Sequence, residues 1–393
     1  MKCLTCGGNT SVFGEFPYKD FDHSIFSFVG VLSVCNDCCF VRVISNLSDK
    51  EISQHYASNC LYSELTGVGV GGDSKEDNIR YEYYTRIIKK YLVNADTSLV
   101  DVGCSRGGYL KYLKRIYPEL KVSGVDLDEK SLQWLKSENI EYHVGDANNL
   151  PFATASQKVL CYFHVLEHLV NFHSALIEAT RALQPGGVVI LEVPDASSYS
   201  QLKARVGTLF WLAMKEHVNH FTPRALSYAC LRHGLDVVEI RQELMPMKSG
   251  KYYPSLIIVA QKKEGECAFP EHIFPDHEAI PDYIKNEMKR FQNIQINFEK
   301  FIDKYQRISF WGIGLEFFNL IVHNEEKLKK LKIYLLDSNT SKQGYSVNGI
   351  YVISPQDAAV DGGLICCSYF STDSIMNDAF KLGWKKSDIF TFF

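Results

Sequence analysis

Several features are missing from this 393-residue sequence, and each absence narrows the reading. No stretch approaches the roughly 20 consecutive apolar residues that a membrane-spanning helix needs. The start, MKCLTCGGNT, lacks the apolar core of a secretory signal. Basic residues are not in excess: 42 Lys and Arg stand against 46 Asp and Glu, a formal net charge of -4. General binders of nucleic acid or anionic membrane show the opposite imbalance. There is no repeat long enough for a solenoid. The expectation is a cytoplasmic chain with no membrane or nucleic-acid partner. Its 46% hydrophobic content excludes a disordered chain, and its length suits two or three domains.

Twelve cysteines are present, and nothing points to export. In a reducing compartment, clustered cysteines more often bind metal and isolated ones serve as small buried hydrophobes. Four fall into two CxxC pairs, Cys3/Cys6 and Cys35/Cys38. Two such turns can supply four thiolates to one tetrahedral Zn²⁺, and a closed shell of this kind is structural. A redox pair is the rival reading. Extended runs are expected at Gly30–Cys35 and Cys38–Ile44, so a zinc-binding module is placed at residues 1–66. The linker-like GVGVGG of Gly67–Gly72 follows.

The middle third alternates strands with amphipathic helices. Strands are predicted at Ser98–Val102, Lys121–Val125, Ile140–Val144, Lys158–Phe163 and Gly187–Val193. Helices are predicted at Ile79–Leu92, Gly108–Ile116, Glu129–Ser137 and Phe172–Leu183. This alternation implies a doubly wound parallel sheet covered on both faces. Asp236–Glu243 and Ser255–Lys262 suit closing antiparallel strands, which bounds a core domain at 79–262. Charged, proline-containing sequence from Lys263 to Pro281 marks a second boundary. Beyond it, at 281–393, a helix at Pro281–Lys304 and strands at Ile308–Trp311, Lys332–Leu336 and Gly363–Cys367 suggest a smaller α/β domain. The fold class is therefore α/β, with a Rossmann-like core between a cysteine module and a smaller tail.

Chemistry concentrates in the core. Leu99–Leu110 reads LVDVGCSRGGYL: a strand, a tight glycine turn, then a helix. Glycines there let backbone N–H groups approach a ligand at a helix N-terminus. The next strand ends in Asp126, placed to accept from both ribose hydroxyls of an adenosyl ligand. A third leads to Asp146, whose carboxylate suits the exocyclic amine of an adenine. A dinucleotide site would need G-x-G-x-x-G, but Ser105 holds the middle glycine's place. Val165–Leu169 (VLEHL) and Leu183–Gly187 (LQPGG) complete five ordered motifs.

Over about Tyr81 to Lys262 the sequence resembles the class I S-adenosylmethionine-dependent methyltransferases. The resemblance implies that Asp101, Gly103, Cys104, Ser105 and Gly107 line the methionine and ribose side of that cofactor. It also implies that Asp126 and Leu127 hold ribose and adenine, and that Asp146 and Ala147 meet the adenine edge.

Methyl transfer needs aligned reactants and a base for the acceptor's proton. Histidine is the first candidate at neutral pH. His217 in Lys215–Phe221 (KEHVNHF) is the expected base, with Glu216 or His220 orienting it or tuning its pKa. His168 is a second candidate; packing beside the cofactor is its plainer reading, and a structural role in a lid is that of His220. A metal on His217-x-x-His220 with Glu216 lacks a third ligand. In the tail, Gly312-Ile313-Gly314 followed by Leu336-Asp337-Ser338 suits a second nucleotide site or simply tight strand–helix packing.

The order of cysteine module, methyltransferase core and such a tail resembles the sugar C-methyltransferase family. Its specific pieces are the two CxxC pairs, Gly103–Gly107, Glu216-His217 with Phe221, and Asp337–Gly344 with Gly349 and Pro355. Lys215, His220 and Ser105 stand where that family tends to have His, Tyr and Asn. The resemblance implies methylation of a nucleotide-linked deoxy-keto-sugar, with His217 forming an enolate beside the ketone. It implies S-adenosyl-L-methionine as cofactor, beside the structural Zn²⁺ read from the two CxxC pairs, and a monomer or homodimer is expected. The competing functions are O- or N-methylation of another small metabolite and a zinc-dependent binding module on an inactive scaffold.

Overall fold

The computed structural model describes residues 1–58, 72, 74–92, 97–201, 212–247, 252–265 and 279–392. Most of the Gly67–Gly72 linker and of the Lys263–Pro281 boundary lies outside them.

The cysteine-rich segment forms three antiparallel strands, β1 (Thr10–Tyr18), β2 (Phe28–Cys35) and β3 (Val41–Ile44). Helix Asp49–Ser58 follows, with Ile52 packed beneath Phe26 and Leu47. The expected run Cys38–Ile44 begins later, at Val41, because Cys38–Phe40 turns out of line with Cys39 at φ 56°.

In the core, β4 (Ser98–Val102), β5 (Lys121–Asp126), β6 (Glu141–Val144), β7 (Gln157–Phe163) and β8 (Leu183–Pro194) run parallel. Downstream lie β9 (Asn219–His220), β10 (Leu235–Pro246) and β11 (Tyr252–Lys262); β11 pairs antiparallel with β8 and β10. The seven-stranded order is β10-β11-β8-β7-β4-β5-β6. Alternate residues divide between two cores: Leu99, Val159, Cys161 and Phe163 pack on one face, Val100, Val102, Leu160 and Tyr162 on the other. That is the period of a strand buried on both sides. The strand order doubles back at β4, flanked by β5 and β7, which opens a crevice beyond the strands' C-terminal ends.

Helix Lys75–Ile88 begins before the expected Ile79. The Ser74 hydroxyl accepts from the Asp77 amide at 3.1 Å, and the Asp77 carboxylate accepts from the Ser74 amide at 3.2 Å. This reciprocal cap fixes the first turn. Helix Phe172–Ala182 stops one residue early because Leu183 already pairs with Gln157 in β8.

The tail carries helix Ala279–Ile302 and the strands β12 (Arg307–Trp311), β13 (Lys332–Leu336), β14 (Ser346–Val347), β15 (Ile350–Ile353), β16 (Gly363–Cys366) and β17 (Ile389–Thr391). They form a second mostly parallel sheet, β14-β15-β13-β12-β16-β17.

The cysteine segment touches both larger parts. Core strand β9 is the fourth strand of its sheet, pairing Val41 with His220 and Arg42 with Asn219. Phe40 packs on Phe221 at 5.1 Å and on Phe172 at 5.9 Å, ring centre to ring centre. Toward the tail, Asp22 accepts from the Ser346 hydroxyl and from the Asn348 and Gly349 amides at 2.8–2.9 Å. These bonds hold its carboxyl below the ordinary range, against the opposing pull of partial burial.

Phe221→Ala removes the ring shared by Phe40 and Phe172, and it should cost about 3–5 kcal/mol in chemical denaturation. Amide exchange at Val41–Val43 should accelerate with it; unchanged exchange there would mean that the segment does not lean on this ring.

Candidate active site

The glycine turn sits at the end of β4, facing the crevice. Gly103 and Gly107 have φ values of 76° and 66°, in the left-handed region, and Gly107 caps helix Gly108–Ile116. A Cβ at Gly107 would lie 2.1 Å from Leu135 Cδ2, and one at Gly103 would lie 2.6 Å from Val165 Cγ2. Both conformation and space therefore require glycine. Ser105 shares the left-handed region at φ 49°.

Asp126 clamps this turn from the end of β5. Its Oδ2 accepts the Ser105 amide at 2.7 Å and its Oδ1 the Asp128 amide at 2.9 Å. Asp101 is the contrast. It is buried, 4% exposed, and its Oδ1 has no hydrogen-bond partner among the described residues. Burial, and after it the negative charge of Asp126, pushes the Asp101 carboxyl up to about 8. An orphaned, buried carboxylate oxygen beside a loop with no room for side chains is a seat for a cationic group. The ammonium and sulfonium centres of S-adenosylmethionine meet that requirement.

Asp146 follows β6. Its Oδ1 accepts the Asn148 amide at 2.8 Å, and its Oδ2 accepts the Ser53 hydroxyl at 2.7 Å. Ser53 comes from helix Asp49–Ser58, so the amino-terminal segment covers Asp146, the position expected at the adenine edge. A cavity of about 470 Å³ opens here, lined by Ser53, Gln54, Leu127, Asp146 and Asn148 among others. Ala147 is buried beside it, and Cys104 is buried in the turn, where its thiol is pushed up first by burial and then by Asp126.

The expected base lies across the crevice. His217 is held by its own backbone: its amide donates to Met214 O at 3.0 Å, and the next amide, of Val218, donates to Glu167 O at 2.9 Å. Its Nδ1 is buried without a partner among the described residues. Burial, then the neighbouring His168, His220 and His164, holds it well below the ordinary histidine value, so the imidazole is neutral. Glu216 pairs with Lys215 at 3.7 Å, and Lys215 also pairs with Asp20. His168 Nδ1 lies 3.1 Å from the Glu216 carbonyl and 3.0 Å from the Tyr56 hydroxyl, and its ring meets that of His217 edge-on at 4.7 Å.

His220 lies behind this group, its ring centre 6.3 Å from that of His217. It is 1% exposed, its Nδ1 lies 3.0 Å from the Tyr199 hydroxyl, and burial pulls it down to about 3. It braces the loop from behind.

Sequence reasoning missed a buried chain of polar groups beneath these residues. His164, at φ 57° just after β7, is 2.8 Å from Glu167 Oε1 through Nδ1 and 3.1 Å from the Tyr253 hydroxyl through Nε2. The Tyr253 and Ser255 hydroxyls donate to Glu192 Oε1 at 2.9 and 2.6 Å, and the Tyr84 hydroxyl donates to its Oε2. Burial opposes a charge on His164, but Glu192 and Glu167 outweigh it and raise its pKa. The i, i+3 spacing of His164 and Glu167 was the available signal. Tyr56 and Ser53 gave none.

His168, Glu216 and His217 open into a cleft of about 780 Å³ between the core, the amino-terminal segment and the tail. Lys19, Lys215 and Lys342 line it, with Tyr345 and Phe370 as aromatic walls. On the tail side, Asp337 Oδ2 accepts the Ile313 amide at 2.9 Å, and Lys342 donates to Ile313 O at 2.7 Å.

In the amino-terminal segment the four CxxC sulfurs converge. One sulfur from each of Cys3, Cys6, Cys35 and Cys38 lies within 4.8 Å of all the others. Cys3 and Cys38 are 3.7 Å apart, and Cys6 and Cys35 are 3.4 Å apart. The bond to Cys38 pulls Cys3 down to about 4, and the same bond pushes Cys38 up. The Gly8 and Asp37 amides each point to a sulfur at 3.4 Å.

The raised Asp101 carboxyl gives a stability signature. The folded chain keeps a proton there that the unfolded chain loses above its ordinary value of 3.8, so stability falls with rising pH until about 8. Asp101→Asn should therefore raise Tm more at pH 8.5 than at pH 5; an equal shift at both would show that Asp101 is not held protonated.

Residues 77–240 match the family model described as a methyltransferase domain. The ubiquinone/menaquinone biosynthesis C-methyltransferase UbiE of Desulfotalea psychrophila is 30% identical over 93 residues, which is 23% of this chain and 38% of that protein. The demethylmenaquinone methyltransferase of Staphylococcus aureus is 32% identical over 111 residues, 27% of this chain and 46% of that one. The chain thus spans less than half the length of these curated relatives. A crystal structure of a SAM-dependent methyltransferase from Methanosarcina mazei aligns with 46% of this chain and 98% of its own, at 18% identity and a TM-score of 0.40. The matched residues include the strands that carry the glycine turn, so the central region of this chain is similar to methyltransferase domains.

Proposed function

We propose that the chain transfers a methyl group from S-adenosyl-L-methionine to a carbon of a nucleotide-linked deoxy-keto-sugar. The observation that carries this reading is the juxtaposition at one cleft: a neutral, unpartnered His217 nitrogen on the core side and three lysines with two aromatic rings around the cavity. Cations suit a diphosphate, and flat rings suit a base or sugar. The relative from D. psychrophila is by name a C-methyltransferase, which agrees with carbon as acceptor.

Asp101, Gly103, Cys104, Ser105 and Gly107 would hold the methionine and ribose side of the cofactor. Asp126 and Leu127 would hold ribose and adenine, and Asp146 and Ala147 the adenine edge. When bound, the cofactor supplies an electrophilic methyl group and loses its positive charge on transfer. His217 removes the proton next to the ketone, and the resulting enolate carbon attacks in line. Glu167, with an oxygen within 4.8 Å of that imidazole, and the adjacent Glu216 would offset the charge it acquires. His168, held by Tyr56 and the Glu216 carbonyl, packs edge-on against the His217 ring.

The four cysteines are read as a structural Zn²⁺ site. Zn–S bonds of about 2.3 Å in a tetrahedron place sulfurs about 3.8 Å apart, close to the spacings of 3.7 and 3.4 Å. The amides of Gly8 and Asp37 would stabilise thiolate charge.

His217→Ala should lower turnover at least about a hundredfold, in line with the loss of a general base, while the affinity for S-adenosylhomocysteine by calorimetry stays within a factor of about three. Retained turnover would remove His217 from the chemistry. Locating the new methyl by NMR after incubation with keto-sugar nucleotides decides the acceptor: a C-methyl signal is expected, and an O-methyl signal would refute carbon transfer. Separately, Cys38→Ser should lose one equivalent of zinc by atomic absorption and make the amino-terminal segment sensitive to protease; full zinc content would overturn that assignment.

A further inference from the structure

The base sits beside a set of donors that methyl transfer alone does not explain. One atom each from Glu167, His168 and His217 lies within 4.8 Å of the other two. Two of the three keep a buried atom with no hydrogen-bond partner among the described residues. Glu167 Oε1 is taken by His164 at 2.8 Å, whereas its Oε2 is buried and has no partner among the described residues. Glu167 itself is 1% exposed. His168 Nδ1 lies 3.1 Å from the Glu216 carbonyl and 3.0 Å from the Tyr56 hydroxyl, and in the tautomer that donates to that carbonyl its Nε2 is an acceptor. His217 Nδ1 is bonded to nothing among the described residues. A ring nitrogen tied to a backbone carbonyl and a carboxylate tied to a histidine are the outer contacts that typically orient metal ligands.

We propose that Glu167, His168 and His217 form a second divalent-cation site, suited to zinc-like ions and distinct from the four cysteines. Two imidazoles and one carboxylate favour Zn²⁺, Co²⁺ or Ni²⁺ over Mg²⁺ or Ca²⁺, which take mostly oxygen ligands. A tetrahedral ion with bonds of about 2.1 Å sets its donors about 3.4 Å apart. The widest pair must therefore draw in by at most about 1.4 Å, which a rotation of the unbonded His217 ring provides. His168 and His217 line the large cleft, so an ion enters from solvent and keeps a fourth position open to water. Bound there, the cation occupies the His217 lone pair and stops proton removal. That consequence, unlike the site itself, rests on the reading of His217 as base.

Equilibrium dialysis of the full chain against Co²⁺ tests the site directly. Two cations per chain are expected. The cysteine site should give an intense thiolate charge-transfer band, and the second cation only weak ligand-field bands. Glu167→Gln and His168→Gln should each weaken the second cation about tenfold or more and leave the thiolate band unchanged, which also reports an intact fold. One cation per chain, or a second cation indifferent to both variants, would overturn the site. In the wild-type protein, added Zn²⁺ should suppress turnover reversibly with a chelating resin, and turnover that rises with Zn²⁺ would overturn the inhibitory role. If protein stripped of the second cation neither binds S-adenosylhomocysteine nor makes methylated product, the methyl-transfer reading fails, while the cation count is judged on its own.

Discussion

The backbone pairing of residues 41–44 with residues 219–220 governs the rest of the structure. Val43 donates to Val218 O at 2.9 Å, and Val41 and Arg42 lie opposite His220 and Asn219. Those bonds fall one to three residues after His217. The loop that presents the expected base is thus one edge of the cysteine-bearing sheet. Side chains reinforce the seam: Thr222 donates to Cys38 O at 2.7 Å, and Arg232 donates to Leu4 O and Thr5 O at 2.7 and 3.0 Å. Four convergent sulfurs beside that sheet therefore help to set the position of the imidazole on its edge. Geometry at an active site is decided by such supports, because a misplacement of about 1 Å is costly.

The same segment faces two ways. Asp22 ties its loop to the tail through three hydrogen bonds, while Ser53 and Tyr56 on its helix reach Asp146 and His168 in the core. The large cleft is walled by all three parts, so its shape depends on contacts of high sequence separation. Within the tail, Asp337 accepts the amide of a glycine-flanked turn much as Asp126 accepts that of Ser105. In both places an acid at the end of the second strand stiffens the turn after the first.

Much of the core was legible because its signals are local. Strands buried on both faces are continuous apolar runs, and β4, β5, β7 and β8 fall where those runs lie. The glycine turn and the acids at successive strand ends could be read from spacing alone. What escaped had no local signal. Strand β1 reads TSVFGEFPY, with a register shift between Val12 and Gly14 that blurs alternation. Helix Asp49–Ser58 buries only Ile52. Strand β9 is two residues long, too short for any period. The sequence distances from Tyr56 to His168 and from Ser53 to Asp146 are beyond the reach of spacing arguments, so the covering of the site by the amino-terminal segment emerges only in three dimensions. Asp126, read as a ribose acceptor, also holds the turn by accepting one amide on each oxygen, and a carboxylate with about four acceptor sites keeps capacity beyond these.

The seam between β3 and β9 also bears on how the chain is made. As synthesis proceeds from the amino terminus, Val41–Ile44 emerges from the ribosome long before its partner at 219–220 exists. Until then one border of the nascent sheet offers bare amides and carbonyls to any passing strand. Its own cysteines are available early, so capturing an ion at once would lend the newborn hairpin some order during that wait. Slow translation between residues 44 and 220 would lengthen the interval in which this half-finished sheet is vulnerable to wrong partners.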